Sequence, residues 1–234
     1  MKRVKKNLML SYMILLWVIC QTVAHSQETI EVIPPDHIKS ILFSGTQEMQ
    51  PFPIISLDGL LTLRFDDLSS QVNDYYYKLK HFNADWTPSV LFSNEIFRGF
   101  DNVRIQTFST SFNTLQPYTH FELKLPNENT QLLVSGNYLL EIYDASDELV
   151  FSRKFCVFEN QATVAAGVYR SQNLAFFETH QSLQFKISPT NFIFQNPETN
   201  VKVVLLQNYQ WDSAITDITP QYFEADGLAY RYTE

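Results

Sequence analysis

The stretch Phe121-Glu-Leu-Lys-Leu125 alternates apolar and charged side chains without a break. Successive side chains of a strand point to opposite faces, so it reads as a β-strand with Phe121, Leu123 and Leu125 inward. The same alternation recurs at Leu61-Thr-Leu-Arg-Phe65 and at Leu183-Gln-Phe-Lys-Ile187. Residues 74–82, "DYYYKLKHF", place Tyr75, Tyr77, Leu79 and His81 on one face. In 138–143, "YLLEIY", Tyr138, Leu140 and Ile142 share a face and Glu141 points the other way. In 201–206, "VKVVLL", Val201, Val203 and Leu205 share a face, and Val204 and Leu206 opposite them suggest a strand buried on both sides. No segment of ten or more residues carries a convincing helical period. The chain is all-β.

The breaks between these runs are turn chemistry. "PNEN" at 126–129 ends one strand before "QLLVSGNYLL" at 131–140 begins the next. "DASDE" at 144–148 has the length and residues of a hairpin loop leading into "LVFSRKFCVF". With only 6 glycines, the turns lean on Asn, Asp, Pro and Ser. Strands of this size at this spacing predict antiparallel β-sandwich (immunoglobulin-like) domains, two in tandem. The hairpin 138–158 reads as the closing pair of a first domain, residues 30–158. A boundary falls near Glu159-Asn160-Gln161. A second β domain, residues 161–234, starts at "ATVAAGVYR" and ends on "GLAYRYTE" with no obvious closing pair. It is either a small sandwich or part of a longer unit.

The first 26 residues read differently. Lys2, Arg3, Lys5 and Lys6 precede an apolar run from Leu8 to Cys20, followed by a small-x-small pattern at Ala24-His25-Ser26. That order is a secretory signal peptide, residues 1–26, with an apolar run shorter than the ~20 residues of a membrane span. An uncleaved anchor or lipidation at Cys20 are the rivals, although Trp17-Val18-Ile19 lacks the small residue a lipoprotein peptidase prefers. Cleavage removes four of the 17 Lys+Arg and none of the 25 Asp+Glu, leaving a formal charge of −12. Such a surface repels phosphate backbones and anionic lipid heads, so nucleic-acid binding is not expected. Cys156 is then the sole cysteine, read as a small core residue. A secreted domain without a disulfide depends on its apolar core.

Motifs that carry catalysis are missing. There is no G-x-S-x-G elbow, no Gly-rich phosphate loop and no H-E-x-x-H. His37, His81, His120 and His180 have no metal-ligand spacing among them, and no cofactor is expected. Asp66-Asp67 and Asp144 with Asp147 lack the spaced calcium-loop pattern and read as strand-end capping. The nine residues 81–89, "HFNADWTPS", bring His81, Asp85 and Ser89 close in sequence. Asn83 and Asp85 are turn formers, and Pro88 biases Thr87 to an extended conformation. A strand-end turn anchored by Trp86 is the reading, not a triad.

Aromatic residues are the louder signal, with 12 Tyr and 19 Phe. Most belong in a sandwich core. In 93–102, "SNEIFRGFDN", however, Phe97, Arg98 and Phe100 lie close in a loop-like setting, and Phe and Arg are residues that carry interface energy. They are the candidate partner-binding residues, against the plainer reading of core anchors flanking a turn at Gly99.

Six segments together resemble a known family. They are 53–68 "PIISLDGLLTLRFDDL", 75–89 "YYYKLKHFNADWTPS", 108–127 "FSTSFNTLQPYTHFELKLPN", 132–144 "LLVSGNYLLEIYD", 150–159 "VFSRKFCVFE" and 205–215 "LLQNYQWDSAI". In this order they resemble the N-terminal region of the plug protein of the type IX secretion system. The resemblance implies an exported periplasmic protein, not itself membrane-spanning. It would bind the periplasmic mouth of the outer-membrane translocon barrel and occlude it between transport events. No enzymatic activity, small-molecule substrate or catalytic residue comes with it. The alternative is a carbohydrate-binding β-sandwich module of an exported glycan-handling system, with Trp86 or Trp211 stacking on sugar rings.

Overall fold

The computed structural model describes residues 31–45, 52–69, 71–171 and 173–231. The segment read as a signal peptide lies outside them. Among the described residues no helix is long and apolar enough to cross a membrane.

Two sheets face each other around one core. The first has the order β1 (Ile38–Gly45), β3 (Leu61–Asp67), β8 (Thr119–Leu125), β7 (Thr107–Thr110). The second runs β2 (Ile54–Ser56), β11 (Leu149–Phe158), β10 (Gly136–Asp144), β4 (Tyr75–Phe82), β6 (Val103–Arg104). Pairing is antiparallel in both except at the edge, where β2 runs parallel to β11. The expected alternation holds side chain by side chain. Leu61, Leu63, Phe65, Phe121, Leu123 and Leu125 are buried on the inner face of the first sheet, and Tyr75, Tyr77, Tyr138, Leu140 and Ile142 on that of the second. Phe65 stacks on Phe121 at 5.1 Å between ring centroids and meets Tyr75 and Phe151 of the facing sheet edge-on, each at 5.3 Å. Facing pairs of this kind add about 0.5–1.5 kcal/mol beyond their area burial. This is an aromatic-filled β-sandwich.

One buried carboxylate is built into its end. Asp67 is inaccessible to solvent and accepts hydrogen bonds from the Ser69 amide, the Asn73 amide group and the Tyr75 hydroxyl. Burial, then the charge of Asp67, pushes the Tyr75 hydroxyl well above its ordinary pKa. Strand-end capping thus accounts for Asp67, as the sequence suggested, while Asp66 pairs with His120 at 2.6 Å. Asp144 and Asp147 sit in the β10–β11 hairpin loop, where Asp147 has φ 61°.

Residues beyond β11 form a separate four-stranded antiparallel sheet. Its order is β12 (Ala162–Arg170), β13 (Gln181–Pro189), β15 (Gly227–Arg231), β14 (Tyr222–Glu224). Phe185, Leu228 and Tyr230 are its buried centre, with the rings of Phe185 and Tyr230 stacked at 4.4 Å.

Two expectations need correction. The predicted strand at 201–206 does not form. Val201, Val203 and Leu205 do lie on the side packed against Phe185 and Tyr230, but only Leu205 pairs, in an isolated bridge to Ile215. Apolar alternation sets which side faces the core, while a strand also needs a partner edge for its backbone groups. The run 131–140 is split as well. Thr130–Leu132 forms β9, which pairs with β5 (Phe97–Gly99), and β10 starts afresh at Gly136. Gly136 has φ 151°, and a Cβ there would lie 2.2 Å from the His81 Nε2. That nitrogen donates to the Ser135 carbonyl at 3.2 Å, so His81 and the start of β10 fit together only around a glycine. Gly136→Ala should therefore cost about 1–3 kcal/mol of unfolding free energy. Urea denaturation followed by tryptophan fluorescence measures it, and an unchanged midpoint would show that the ring simply moves aside.

Candidate functional site

The segment 90–102 is built as a short ribbon laid over one end of the sandwich. A single helical turn, Ser93–Ile96, is held at its start by Glu95, whose carboxylate accepts the Phe92 amide at 2.8 Å. It leads into β5, which pairs Phe97 with Leu132 and Arg98 with Gln131. Alternation then divides the three candidate residues. Phe97 is 5% exposed and packs in the main core beside Ile96 and Leu132. Arg98 faces solvent, and Phe100 is 71% exposed. Gly99, at φ 126°, makes this possible: a Cβ there would lie 1.8 Å from the Asn129 carbonyl oxygen, to which the Phe100 amide donates at 3.0 Å. The ribbon therefore anchors through Phe97 and presents Arg98 and Phe100.

Sequence reasoning missed the neighbours of that surface. Val90 is 91% and Phe92 74% exposed, and Leu133 is also solvent-facing. The signal was the apolar triplet Val90-Leu91-Phe92 directly after Pro88 and Ser89, in a segment with no alternation to bury it. Large apolar side chains left in water make this segment a candidate interaction surface.

The turn 81–89 resolves into structure rather than chemistry. The Trp86 amide donates to the Asn83 carbonyl at 3.0 Å, and the Asn83 amide to the Thr87 carbonyl at 2.9 Å. Asp85 accepts both the hydroxyl and the amide of Thr87, which hold its carboxyl below the usual range. His81 is turned to Ser135, and the Ser89 hydroxyl accepts the Leu91 amide. The three groups do not converge. Trp86 sits at φ 60°, a left-handed position unusual for so large a residue. Its indole is 7% exposed, packed on Phe82 and Leu139 and met edge-on by Trp211 at 4.9 Å. Its faces are covered, so it offers no stacking platform to a sugar.

Residues 209–211 lie on the outer face of the second sheet. Tyr209 stacks on Phe52 at 5.9 Å and donates to the Lys154 carbonyl at 3.3 Å. Beneath it Cys156 donates to the Asn137 side-chain oxygen at 3.2 Å. Burial pushes the Cys156 thiol up from 9.0 to about 11. Glu141, which alternation aims at solvent, is 3% exposed on this same face, held by Lys80 at 2.7 Å and the Tyr143 hydroxyl at 2.9 Å. Burial and Glu141 push the Tyr143 hydroxyl up to about 12. Among the described residues no three His, Cys, Asp or Glu side chains come together to hold a metal ion.

Residues 38–159 match the family model for the type 9 secretion system plug protein 1st domain. A hypothetical protein from Parabacteroides merdae, known from its crystal structure, is similar in fold and sequence, with a TM-score of 0.81 and 30% identity. The alignment covers 87% of this chain and 52% of that one, so this chain spans about half the length of that relative. No curated protein matches the chain.

Two outcomes test the geometry. Trp86→Ala should lower unfolding free energy by about 3–5 kcal/mol, because a buried ring leaves a cavity, and an unchanged melting temperature would mean the ring is not buried in solution. In native protein at pH 8 the Cys156 thiolate share should fall on the order of a hundredfold below that of the unfolded chain, slowing thiol reagents accordingly. The raised thiol pKa contributes stability that is complete below pH 9 and is lost as pH rises toward about 11.

Proposed function

Since the chain belongs to the type 9 secretion system plug protein family, we propose that it is a non-enzymatic periplasmic subunit that binds the periplasmic mouth of the outer-membrane translocon barrel and blocks it between transport events. The match over 38–159 carries this reading, because it falls on the whole facing-sheet body and on the ribbon laid over its end. The family implies a periplasmic and outer-membrane system. We further read residues 30–158 and 161–234 as two β units joined near Glu159, with the first making the contact.

The physics of such a seal asks for little chemistry. A body packed around aromatic rings resists deformation, and blocking a pore is steric. Specific attachment then needs an interface on the order of 1,200–2,000 Å². The ribbon surface supplies anchors of the right type: Phe100 and Phe92 as apolar side chains already in water, and Arg98 as a planar cation beside them. Phe97 supports the surface from inside.

The test is co-purification with outer-membrane proteins. An Arg98→Ala/Phe100→Ala chain should keep its melting temperature and lose at least tenfold of the recovered barrel, a change of about 1.4 kcal/mol in binding. Phe97→Ala should instead destabilise the fold, by about 3–5 kcal/mol. Undiminished recovery with the double variant would remove this surface from the interface. Failure of the wild-type chain to recover any barrel would remove the docking reading itself.

A further inference from the structure

The lysines of the main body keep close company with carboxylates. Lys78 is 2.7 Å from Asp147, Lys80 is 2.7 Å from Glu141, and Lys124 is 2.9 Å from Glu122. Lys154 breaks the rule. It is 5% exposed, and no carboxylate among the described residues lies within ion-pair distance of its ammonium group. What lies near the ammonium instead is aromatic: the Trp86 ring centroid at 4.6 Å and that of Trp211 at 5.8 Å. Two indole faces stabilise a cation, but they do not replace the counter-ion that a buried charge calls for.

Lys154 lines a groove of about 910 Å³ between the open edge of the sandwich and the segment 209–213. Ile41, Phe43, Pro53, Tyr209 and Trp211 make its walls apolar and aromatic. Arg153 also borders it, but its guanidinium donates to the Ser152 carbonyl at 2.7 Å and stands 3.7 Å from Glu31. That cation is already answered. Glu31, whose carboxylate accepts the Lys154 backbone amide at 2.6 Å, lies on the same border. Apolar walls with a few polar groups among them are the usual makeup of a small-ligand site.

We infer that this groove binds a small ligand made of one carboxylate on an apolar or aromatic body, with Lys154 receiving the carboxylate. The ammonium and the carboxylate would form a charge-assisted pair beside the two indoles. The body of the ligand would lie along Phe43, Tyr209 and Trp211. Glu31 and Asp212 also border the groove and disfavour a second negative charge, so a monoanion fits where a phosphate ester does not. The site stands apart from the ribbon surface and does not rest on the docking reading.

The chain provides its own reporter. Of its three tryptophans, Trp17 lies in the segment read as a signal peptide, and Trp86 and Trp211 both border Lys154. The experiment titrates the exported protein with 3-phenylpropionate and with its neutral counterpart 3-phenylpropionamide while following tryptophan emission. The carboxylate should give a saturable shift, with the amide binding about tenfold weaker or more. Lys154→Met, which keeps most of the stem and drops the charge, should bind the two compounds alike. Equal affinities in the wild-type protein, or no saturable shift with the carboxylate at millimolar concentration, would overturn the assignment. The wild-type comparison stands on its own if Lys154→Met does not fold.

Discussion

The contact on which the molecule depends is the meeting of Phe65 and Phe121 from one sheet with Tyr75 and Phe151 from the other. All four rings are buried, and they fill the space between the two sheets. Cys156 is a free thiol, so this burial, not a covalent cross-link, holds the described body together. Tyr75 ties the apolar centre to the polar end of the sandwich through Asp67. A tyrosine is needed there because its ring fills the core while its hydroxyl satisfies a carboxylate that water does not reach.

Much of this was legible from residue order. Period-2 alternation located β3, β4, β8, β10 and β13 because each shows a core face every second residue, and the hairpin loop at 144–148 located β11. The acidic pairs at 66–67 and 144–147 were readable as strand ends for the same local reason. The illegible parts depend on partners distant in the chain. Nothing near Val201 announces that its segment packs without pairing. Nothing near Trp86 announces that Trp211 closes over it. Glu141 looks like an outward residue, and it is one; the surface it faces has been covered. Of the candidate contact residues, Arg98 and Phe100 are exposed, whereas Phe97 is turned into the core where it pairs with Leu132.

The outer face of the second sheet obeys a different balance of forces. In an ordinary two-sheet body that face is wet. Here Asn137, Glu141, Lys154 and Cys156 are largely withdrawn from water by the segment around Tyr209 and Trp211 and by the start of the described chain, where the Val32 amide donates to the Ser152 hydroxyl at 2.8 Å. Each polar group taken out of water needs a new partner. Glu141 finds Lys80 and Tyr143, and Cys156 finds Asn137. The aromatic cover over Lys154 is thus part of a wider conversion of a sheet's exterior into an interior.

The parallel pairing of β2 with β11 also sets a clock. Ile54 has as its partner Cys156, and the Leu57 amide waits for the Phe158 carbonyl. A chain emerging from a channel amino end first therefore has its early strand β2 in hand for roughly a hundred residues before the strand that seats it appears. Local hairpins can form and dissolve during that time, but the second sheet lacks its middle until β10 and β11 arrive together. Closure of this body therefore waits for its last strands, whatever else of it has already emerged.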